Sequence, residues 1–294
     1  MGAPRDTRHL HDASRDTYLV ALDIDGTLLD TGMDVPQITT RAVAAARAAG
    51  HHIVLATGRS LIGALPVARN LGLDGGWIVV SNGAVTARLA PDAPGGYLLH
   101  EQRTFDVEPV VRLARARIPD VRIAVEVVGW GYDVTHRFEP ADINGAQRVV
   151  DRPEELWAVP VTRAILAGPD APALVEPLRQ LGVMATPNTQ NWVDVTAPGQ
   201  SKATALDTVR GVLGVDPAHT IAVGDGWNDA EMLRWAAHGV AMGHAPDRIK
   251  ALARSVTGTI HEHGAATVLR ALLEGTARLH HPTPAMSAPG RPAP

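Results

Sequence analysis

The chain contains no cysteine among its 294 residues, and only 4% of them are aromatic. The lack of cysteine excludes disulfides, thiolate metal sites and cysteine nucleophiles. No apolar run approaches the roughly 20 residues of a membrane-spanning helix. The polar N-terminal stretch "MGAPRDTRHLHDASRDT" also lacks the apolar segment of a secretory signal. We therefore expect a cytoplasmic protein that has no membrane partner.

A long basic run is also missing, and the net charge is −4. This charge balance argues against a nucleic acid as the partner. The 13 histidines lack the i, i+4 spacing with a nearby acid that a helical zinc site shows. By contrast, 45% of the residues are hydrophobic, which is enough for one large domain or two ordinary ones.

Apolar runs and helical patterns alternate in the first part of the chain. The runs "YLVALD", "HIVLAT" and "GWIVV" are separated by the helical patterns "TTRAVAAARAAG" and "SLIGALPVARNLG". Strands buried on both faces show such continuous apolar runs, and the order strand–helix–strand predicts a parallel sheet. The same rhythm returns from Ser201 onward. The sequence thus predicts an α/β fold with a doubly wound parallel sheet.

The middle of the chain follows another pattern. From about Thr86 to Asn191, several segments alternate apolar with polar residues, which is typical of an antiparallel sheet with one solvated face. Two amphipathic helical patterns lie among them, so we expect an inserted α+β domain, with Trp192 on the strand that returns to the core. The expected divisions are a flexible arm (1–16), the core (17–86 and 191–276), the inserted domain (87–190) and a disordered Pro/Ala-rich tail (277–294).

Polar residues follow four of the predicted core strands, in "DID", "ATGR", "SNGA" and "GDGWND". Ligands of open α/β sheets bind beyond the carboxyl ends of the strands, so these groups can converge on one crevice. Carboxylates suit Mg²⁺, which takes protein oxygens together with phosphate oxygens and water. We expect Asp23 and Asp225 to be the metal carboxylates. A bound Mg²⁺ would also relieve the repulsion between Asp23 and Asp25.

The same residues have the chemistry of phosphoryl transfer. Thr57 and the backbone N–H groups of the Gly58 turn could hold phosphate oxygens. Lys202 could neutralise a phosphoryl group. One carboxylate can attack phosphorus to form an aspartyl phosphate. A second carboxyl, two residues later, can protonate the leaving oxygen and then activate water.

Four stretches in order, "DIDGTLLD", "ATGR", "GQSK" and "GDGWND", resemble motifs I to IV of the haloacid dehalogenase (HAD) superfamily. The "SNGA" stretch, the long insert and "WVDVTAPGQSKATAL" resemble its Cof-type (class IIB) phosphatases. The resemblance spans roughly Leu19 to Leu273. It implies a HAD-like, Rossmannoid core with an inserted α+β cap of type 2 (C2B).

The resemblance also implies a role for each matching residue. Asp23 is the expected nucleophile and a metal ligand. Asp25 is the expected general acid and base, and it binds the metal through its backbone carbonyl. Asp225 is the expected main Mg²⁺ carboxylate. The other expected site residues are Thr57, Gly58 and Lys202 for phosphate, Asn228 and Asp229 as support in motif IV, and Arg59, Asn82 and Gly83 as substrate contacts.

The resulting hypothesis is a Mg²⁺-dependent phosphomonoesterase for a small phosphorylated metabolite. Sugar phosphates are the first candidates, followed by flavin mononucleotide and pyridoxal phosphate. A phosphosugar mutase and a non-catalytic sugar-phosphate sensor are the alternatives. Arg59 contacts substrate or caps a strand–helix junction, Asn82 contacts substrate or forms a turn, and Tyr132 stacks on a ligand or packs in the cap. A monomer and a homodimer are equally compatible with the sequence.

Overall fold

The structure is a computed structural model that describes residues 16–30, 34–140, 142–189 and 191–275. Most of the expected N-terminal arm and all of the expected tail lie outside these residues. None of the helices among these residues could span a lipid bilayer.

The described residues form fourteen strands and eight α-helices. The strands are β1 (Leu19–Leu22), β2 (His52–Ala56), β3 (Trp77–Val80), β4 (Val85–Leu89), β5 (Tyr97–Gln102), β6 (Arg122–Val127), β7 (Gly131–Val134), β8 (Ala146–Val149), β9 (Arg163–Ala167), β10 (Met184–Thr189), β11 (Trp192–Thr196), β12 (Thr220–Gly224), β13 (His238–Ala241) and β14 (Ser255–Val256). The helices are α1 (Gln37–Ala48), α2 (Leu61–Asn70), α3 (Glu108–Arg117), α4 (Val175–Arg179), α5 (Lys202–Leu213), α6 (Ala230–Trp235), α7 (Asp247–Lys250) and α8 (Gly264–Glu274).

The larger sheet has eight strands in the order β14-β13-β12-β1-β2-β3-β4-β5. The six strands from β14 to β3 run parallel, and β4 and β5 extend the sheet as an antiparallel hairpin. Alternate residues of β1 face opposite layers: Val20 packs with α1, α2 and α8, and Ala21 packs with α5 and α6. Because helices cover both faces, all four residues of β1 are buried. The predicted doubly wound α/β core is confirmed.

The second sheet has six strands in the order β10-β11-β9-β6-β7-β8. Neighbouring strands are antiparallel, except for the parallel pair β7 and β8. One face packs against α3 and α4 through a buried apolar cluster that includes Val111, Ile123 and Leu178. A smaller cluster around Tyr132, Phe138 and Ile165 lies on the other face. This sheet is the α+β insert that the alternating pattern predicts.

The ends of the insert differ from the expected boundaries at two places. The boundary between residues 86 and 87 would divide the β4–β5 hairpin, which continues the larger sheet to Gln102. The prediction that Trp192 returns to the core is wrong, because β11 pairs with β9 and β10 and buries Val195 in the second sheet's cluster. We propose that the inserted domain lies between Gln102, at the end of β5, and Lys202, at the start of α5.

Candidate active site

The carboxyl ends of β1, β2, β3 and β12 lie side by side in the larger sheet. Each is followed by one of the four polar stretches that the sequence analysis selected. The first residue of α5, Lys202, lies at the same edge and contacts residues that follow β1 and β12. The topology therefore gathers residues that are up to 206 positions apart, from Asp23 to Asp229, because adjacent parallel strands end at one edge.

Lys202 is the centre of this group and has no solvent-exposed surface. Its Nζ donates hydrogen bonds to Oδ1 of Asp23 and Oδ1 of Asp229, each at 2.6 Å. Burial by itself lowers the pKa of Lys202, but the charges of Asp229 and Asp23 outweigh burial and raise the pKa. Ser201 caps α5 by accepting a hydrogen bond from the Thr204 N–H. This cap fixes the first turn of α5 and so aims Lys202 at the two carboxylates.

Asp229 connects Lys202 to the loop that follows β12. Its Oδ2 accepts hydrogen bonds from the backbone N–H groups of Asp225 and Gly226, both at 2.9 Å. Both carboxylate oxygens of Asp229 are thus engaged within the protein. Asp229 therefore shapes the loop that presents Asp225, and its own oxygens are less available to a ligand than those of Asp225.

Asp23, Asp225 and Asp229 place carboxylate oxygens within 4.8 Å of one another. Burial and the charge of Asp229 raise the pKa of Asp225 to about 6. The same two causes raise the pKa of Asp23, although Lys202 opposes them. One lysine does not balance three carboxylates, and the donor set consists of oxygens. Such a site suits a hard divalent cation.

The turn after β1 packs directly against Asp225. Gly26 has φ of +79°, and a Cβ at this position would lie 2.3 Å from Oδ2 of Asp225. Thr27 donates a hydrogen bond from Oγ1 to Oδ1 of Asp225 at 3.2 Å. Glycine is required here both for the left-handed conformation and for the close approach. His244, which the sequence analysis did not select, also lies near this carboxylate, with Nε2 3.7 Å from Oδ2 of Asp225.

The "ATGR" stretch forms the turn between β2 and α2. Thr57 is buried, its N–H donates to the carbonyl of Val79 at 3.0 Å, and its Oγ1 accepts from the N–H of Arg59 at 3.1 Å. The side chain of Arg59 contacts Asp25 through two hydrogen bonds, from Nε at 2.8 Å and from Nη2 at 2.6 Å. Arg59 therefore has a catalytic candidate as its main partner.

The "SNGA" stretch of the core forms hydrogen bonds with residues of the second sheet. Ser81 and Asn82 both have left-handed backbones, with φ of +52° and +54°. This conformation is unusual for residues other than glycine and costs of the order of 1–3 kcal/mol for each residue. Oδ1 of Asn82 accepts from Nδ2 of Asn228 at 3.0 Å, and Nδ2 of Asn82 donates to Oδ2 of Asp194 at 3.4 Å. The carbonyl of Gly83 accepts from Nε2 of Gln200 at 2.6 Å.

Three buried charged residues of the second sheet face these core loops, and the sequence analysis did not select them. They are Glu126 on β6, Arg163 on β9 and Asp194 on β11, and we call them the cap triad. Ser81 donates to Oε2 of Glu126 at 2.6 Å, and Nη1 of Arg163 donates to the carbonyl of Gly58. The only sequence signal is one charged residue within each of the apolar runs "IAVEVV", "TRAILA" and "WVDVTA".

The cap triad uses only part of its hydrogen-bonding capacity. Nη2 of Arg163 donates to the hydroxyl of Tyr132 at 2.9 Å, and its Nε lies 3.4 Å from Oδ1 of Asp194. Oε1 of Glu126, Nε of Arg163 and Oδ1 of Asp194 make no hydrogen bond. Burial raises the pKa of Glu126 and of Asp194, although Arg163 lowers both. Tyr132 is 1% exposed, which fits the packing alternative for its ring.

Comparisons with known proteins agree with this geometry. A family model described as haloacid dehalogenase-like hydrolase matches residues 20–117 and 174–269, which is more than half of the chain. The 5-amino-6-(5-phospho-D-ribitylamino)uracil phosphatase YitU of Bacillus subtilis is 28% identical over 264 residues, covering 86% of this chain and 96% of its own. A phosphoglycolate phosphatase of Natronomonas pharaonis is 30% identical and covers 81% of this chain and 90% of its own.

A solved structure of a HAD subclass IIB sugar phosphatase has the same fold. It superposes with a TM-score of 0.73 at 26% identity, covering 87% of this chain and 99% of its own. The family match spans both parts of the core, and the structural match includes the second sheet. The chain therefore belongs to the haloacid dehalogenase-like hydrolases, as a phosphatase of the Cof type (class IIB).

Proposed function

We propose that the protein is a Mg²⁺-dependent phosphomonoester hydrolase that acts through an aspartyl phosphate, with a sugar phosphate as its substrate. The observation that carries this proposal is the fully buried Lys202, which joins Asp23 to Asp229 beside Asp225. A buried cation that orients one carboxylate, next to an oxygen-lined cation site, is the arrangement that in-line attack on a phosphate ester needs.

Asp23 and Asp25 have separate roles in the proposed reaction. Lys202 holds Oδ1 of Asp23, so the other oxygen, Oδ2, is the candidate atom that attacks phosphorus. Asp25 gives a proton to the leaving oxygen and later takes one from the water that hydrolyses the aspartyl phosphate. Thr57, Gly58 and Lys202 bind the phosphoryl oxygens, while Asn228 and Asp229 support the loop of Asp225.

The residues at the site fit Mg²⁺, because the donors are oxygens and their charge exceeds that of Lys202. Asp23, Asp225 and the backbone carbonyl of Asp25 would hold the ion. Bound there, Mg²⁺ would offset negative charge on the phosphoryl group and would lower the repulsion between carboxylates.

Two observations support a sugar phosphate as the substrate. The structural relative described above is a sugar phosphatase, and two sequence relatives act on small phosphate monoesters. The cap triad offers two buried carboxylates and a guanidinium beside the phosphate-binding turn. Carboxylates accept hydrogen bonds from hydroxyl groups, and a guanidinium donates hydrogen bonds to hydroxyl oxygens. The cap triad therefore suits a hydroxyl-rich leaving group. The roles of Arg59, Asn82 and Gly83 as substrate contacts stay predictions; Asn82 forms hydrogen bonds with both Asn228 and Asp194.

Replacement of the proposed nucleophile tests the function. Asp23→Asn keeps the shape of the side chain but removes the attacking carboxylate, so phosphate release from p-nitrophenyl phosphate should fall by more than about 1,000-fold. Assays with and without Mg²⁺ measure the dependence on the ion. The matched control is Asp247→Asn, at an exposed position on α7, which should leave the rate unchanged. Wild-type turnover in Asp23→Asn would refute the proposal.

A hexose phosphate substrate separates the hydrolase from its alternatives. The hydrolase releases free phosphate, whereas a mutase forms an isomer with little phosphate. A sensor binds the sugar phosphate without turnover. The cytoplasmic location and the monomeric or dimeric state stay predictions.

A further inference from the structure

We propose that Arg59 is a positioning residue for Asp25 and that it acts on both proton transfers of the reaction. This inference rests on the proposed function but assigns Arg59 a role other than substrate contact. The basis is the two-point ion pair, in which Nε and Nη2 of Arg59 meet the two oxygens of Asp25 at 2.8 and 2.6 Å. Paired hydrogen bonds of this kind fix the plane of a carboxylate as well as its location.

The guanidinium of Arg59 is itself held by the backbone. Its remaining terminal nitrogen, Nη1, donates to the carbonyl of Gly63 in the first turn of α2 at 3.3 Å. At the other end, the N–H of Arg59 donates to Oγ1 of Thr57. Arg59 is thus fixed to the phosphate-binding turn and to α2. Through these contacts, Arg59 fixes Asp25, which follows a different strand, relative to the turn and to α2.

The exposure of the pair argues for this role. The side chain of Asp25 is 50% exposed and that of Arg59 is 24% exposed. Asp25 lies beside the turn at Gly26, so its side chain is open to solvent and would otherwise adopt several rotamers. An exposed ion pair contributes little to stability. We therefore assign this contact the function of orienting Asp25, whose carboxyl group must reach the leaving oxygen.

Both proton transfers need that orientation. In the first step, Asp23 forms a bond to phosphorus, the bond from phosphorus to the leaving oxygen breaks, and the leaving oxygen takes the proton of Asp25. In the second step, Asp25 takes a proton from water, the water oxygen bonds to phosphorus, and the bond from phosphorus to Asp23 breaks. Each transfer requires Asp25 to lie within hydrogen-bond distance of the reacting atoms.

The Arg59→Lys variant provides the test, because lysine keeps the charge but cannot form the planar two-point contact. With a primary alkyl phosphate, whose leaving oxygen needs a proton, kcat should fall about 10- to 100-fold at unchanged KM. With p-nitrophenyl phosphate, whose leaving group needs no proton, the first step stays fast while the second slows. Stopped-flow measurement should then show a burst of p-nitrophenol near one equivalent per active site.

The control is Arg47→Lys, which changes a 2.7 Å ion pair with Asp74 on the surface of α1 and should alter none of these values. Circular dichroism checks the fold of each variant. A raised KM at unchanged kcat would assign Arg59 to substrate binding and would overturn the proposal. Higher activity in Arg59→Lys would also overturn it, because the contact would then restrain Asp25.

A double-mutant cycle measures whether Arg59 acts through Asp25. Single-turnover experiments with p-nitrophenyl phosphate give two rate constants, one for phosphoryl transfer to the enzyme and one for hydrolysis of the aspartyl phosphate. In an Asp25→Asn background, Arg59→Lys should change each rate constant less than twofold. Equal losses in both backgrounds would overturn the role of Arg59. If Asp23→Asn is still inactive in that case, the hydrolase function stands. A wild-type protein that releases no phosphate would overturn both.

Discussion

Two buried cations, Lys202 in the core and Arg163 in the inserted domain, are arranged differently. Lys202 donates to two aspartates at 2.6 Å, and the second oxygen of Asp229 is bound by two backbone N–H groups. Arg163 forms an ion pair with the buried Asp194, yet one polar atom on each member of the cap triad makes no hydrogen bond. The two clusters have similar charge and burial but differ in how many of their hydrogen bonds are formed.

This difference indicates different tasks. A buried group without its hydrogen bond costs about 1–3 kcal/mol, so a protein keeps such groups only where they serve a purpose. In the Lys202 cluster, Nζ of Lys202 and both carboxylate oxygens of Asp229 form hydrogen bonds, which fits the proposed role of Lys202 in orienting Asp23. In the cap triad, Oε1 of Glu126 makes no hydrogen bond, and Nε of Arg163 meets Oδ1 of Asp194 only as an ion pair at 3.4 Å, which fits its proposed role in binding a polar substrate.

The largest effect should come from removing Lys202. Lys202→Ala leaves the buried carboxylates of Asp23 and Asp229 without their cation, so the free energy of unfolding should fall by about 3–5 kcal/mol. Denaturant titration in the presence of a chelator measures this loss without compensation by a bound cation. Phosphatase activity should be lost as well.

Lys250→Ala is the matched control for Lys202→Ala. Lys250 lies 3.8 Å from a highly exposed Asp247, and its loss should leave the unfolding curve unchanged. A loss below about 1 kcal/mol in Lys202→Ala would show that the core cluster contributes no more than a surface pair.

A smaller, selective effect is expected for Arg163→Lys. Lysine keeps the charge, but its single ammonium group cannot replace the separate contacts of the guanidinium with Gly58, Tyr132 and Asp194. The kcat/KM for a hexose phosphate should fall about tenfold or more, relative to that for p-nitrophenyl phosphate. Arg148→Lys, which changes an exposed ion pair with Asp133 on the same sheet, is the control. Equal losses with both substrates would remove the cap triad from substrate recognition.

The smallest effect concerns pH and stability. Burial raises the pKa of Glu126, against the influence of Arg163 and of the Ser81 and Thr162 hydrogen bonds, so the folded state keeps this proton to a higher pH than the unfolded state. Folding stability is therefore lost as the pH rises above the unfolded value of about 4.3. Glu126→Gln has no such loss, so its stability relative to the wild type should increase as the pH rises above the unfolded-state pKa of Glu126. If the difference in unfolding free energy between Glu126→Gln and the wild type did not change with pH, the raised pKa of Glu126 would be contradicted.

Much of the core site could be predicted from the sequence. Several apolar runs are long enough for buried strands, and each is followed by polar residues. Because parallel strands end at one edge of the sheet, this pattern predicts that Asp23, Thr57 and Asp225 meet there. The helix start at Ser201 likewise predicts the place of Lys202. The geometry adds the distances, the full burial of Lys202 and the bonds of Asp229 to the backbone.

The partners of Arg59 and of the cap triad could not be predicted in this way. A charged residue in a strand has no periodic signal that tells which face it occupies or which distant residue it meets. The boundaries failed for the same reason: β11 and the β4–β5 hairpin have local patterns that suit either sheet.

The sequence by itself determined the α/β core, the α+β insert and the carboxylates, lysine and turns of the candidate active site. These depend on local apolar patterns and on the common edge of parallel strands. Only the tertiary structure decided which sheet takes β11, which groups complete the cap triad, and that Arg59 holds Asp25. Pairing between residues far apart in the chain depends on how the two sheets pack, and no local pattern encodes that packing.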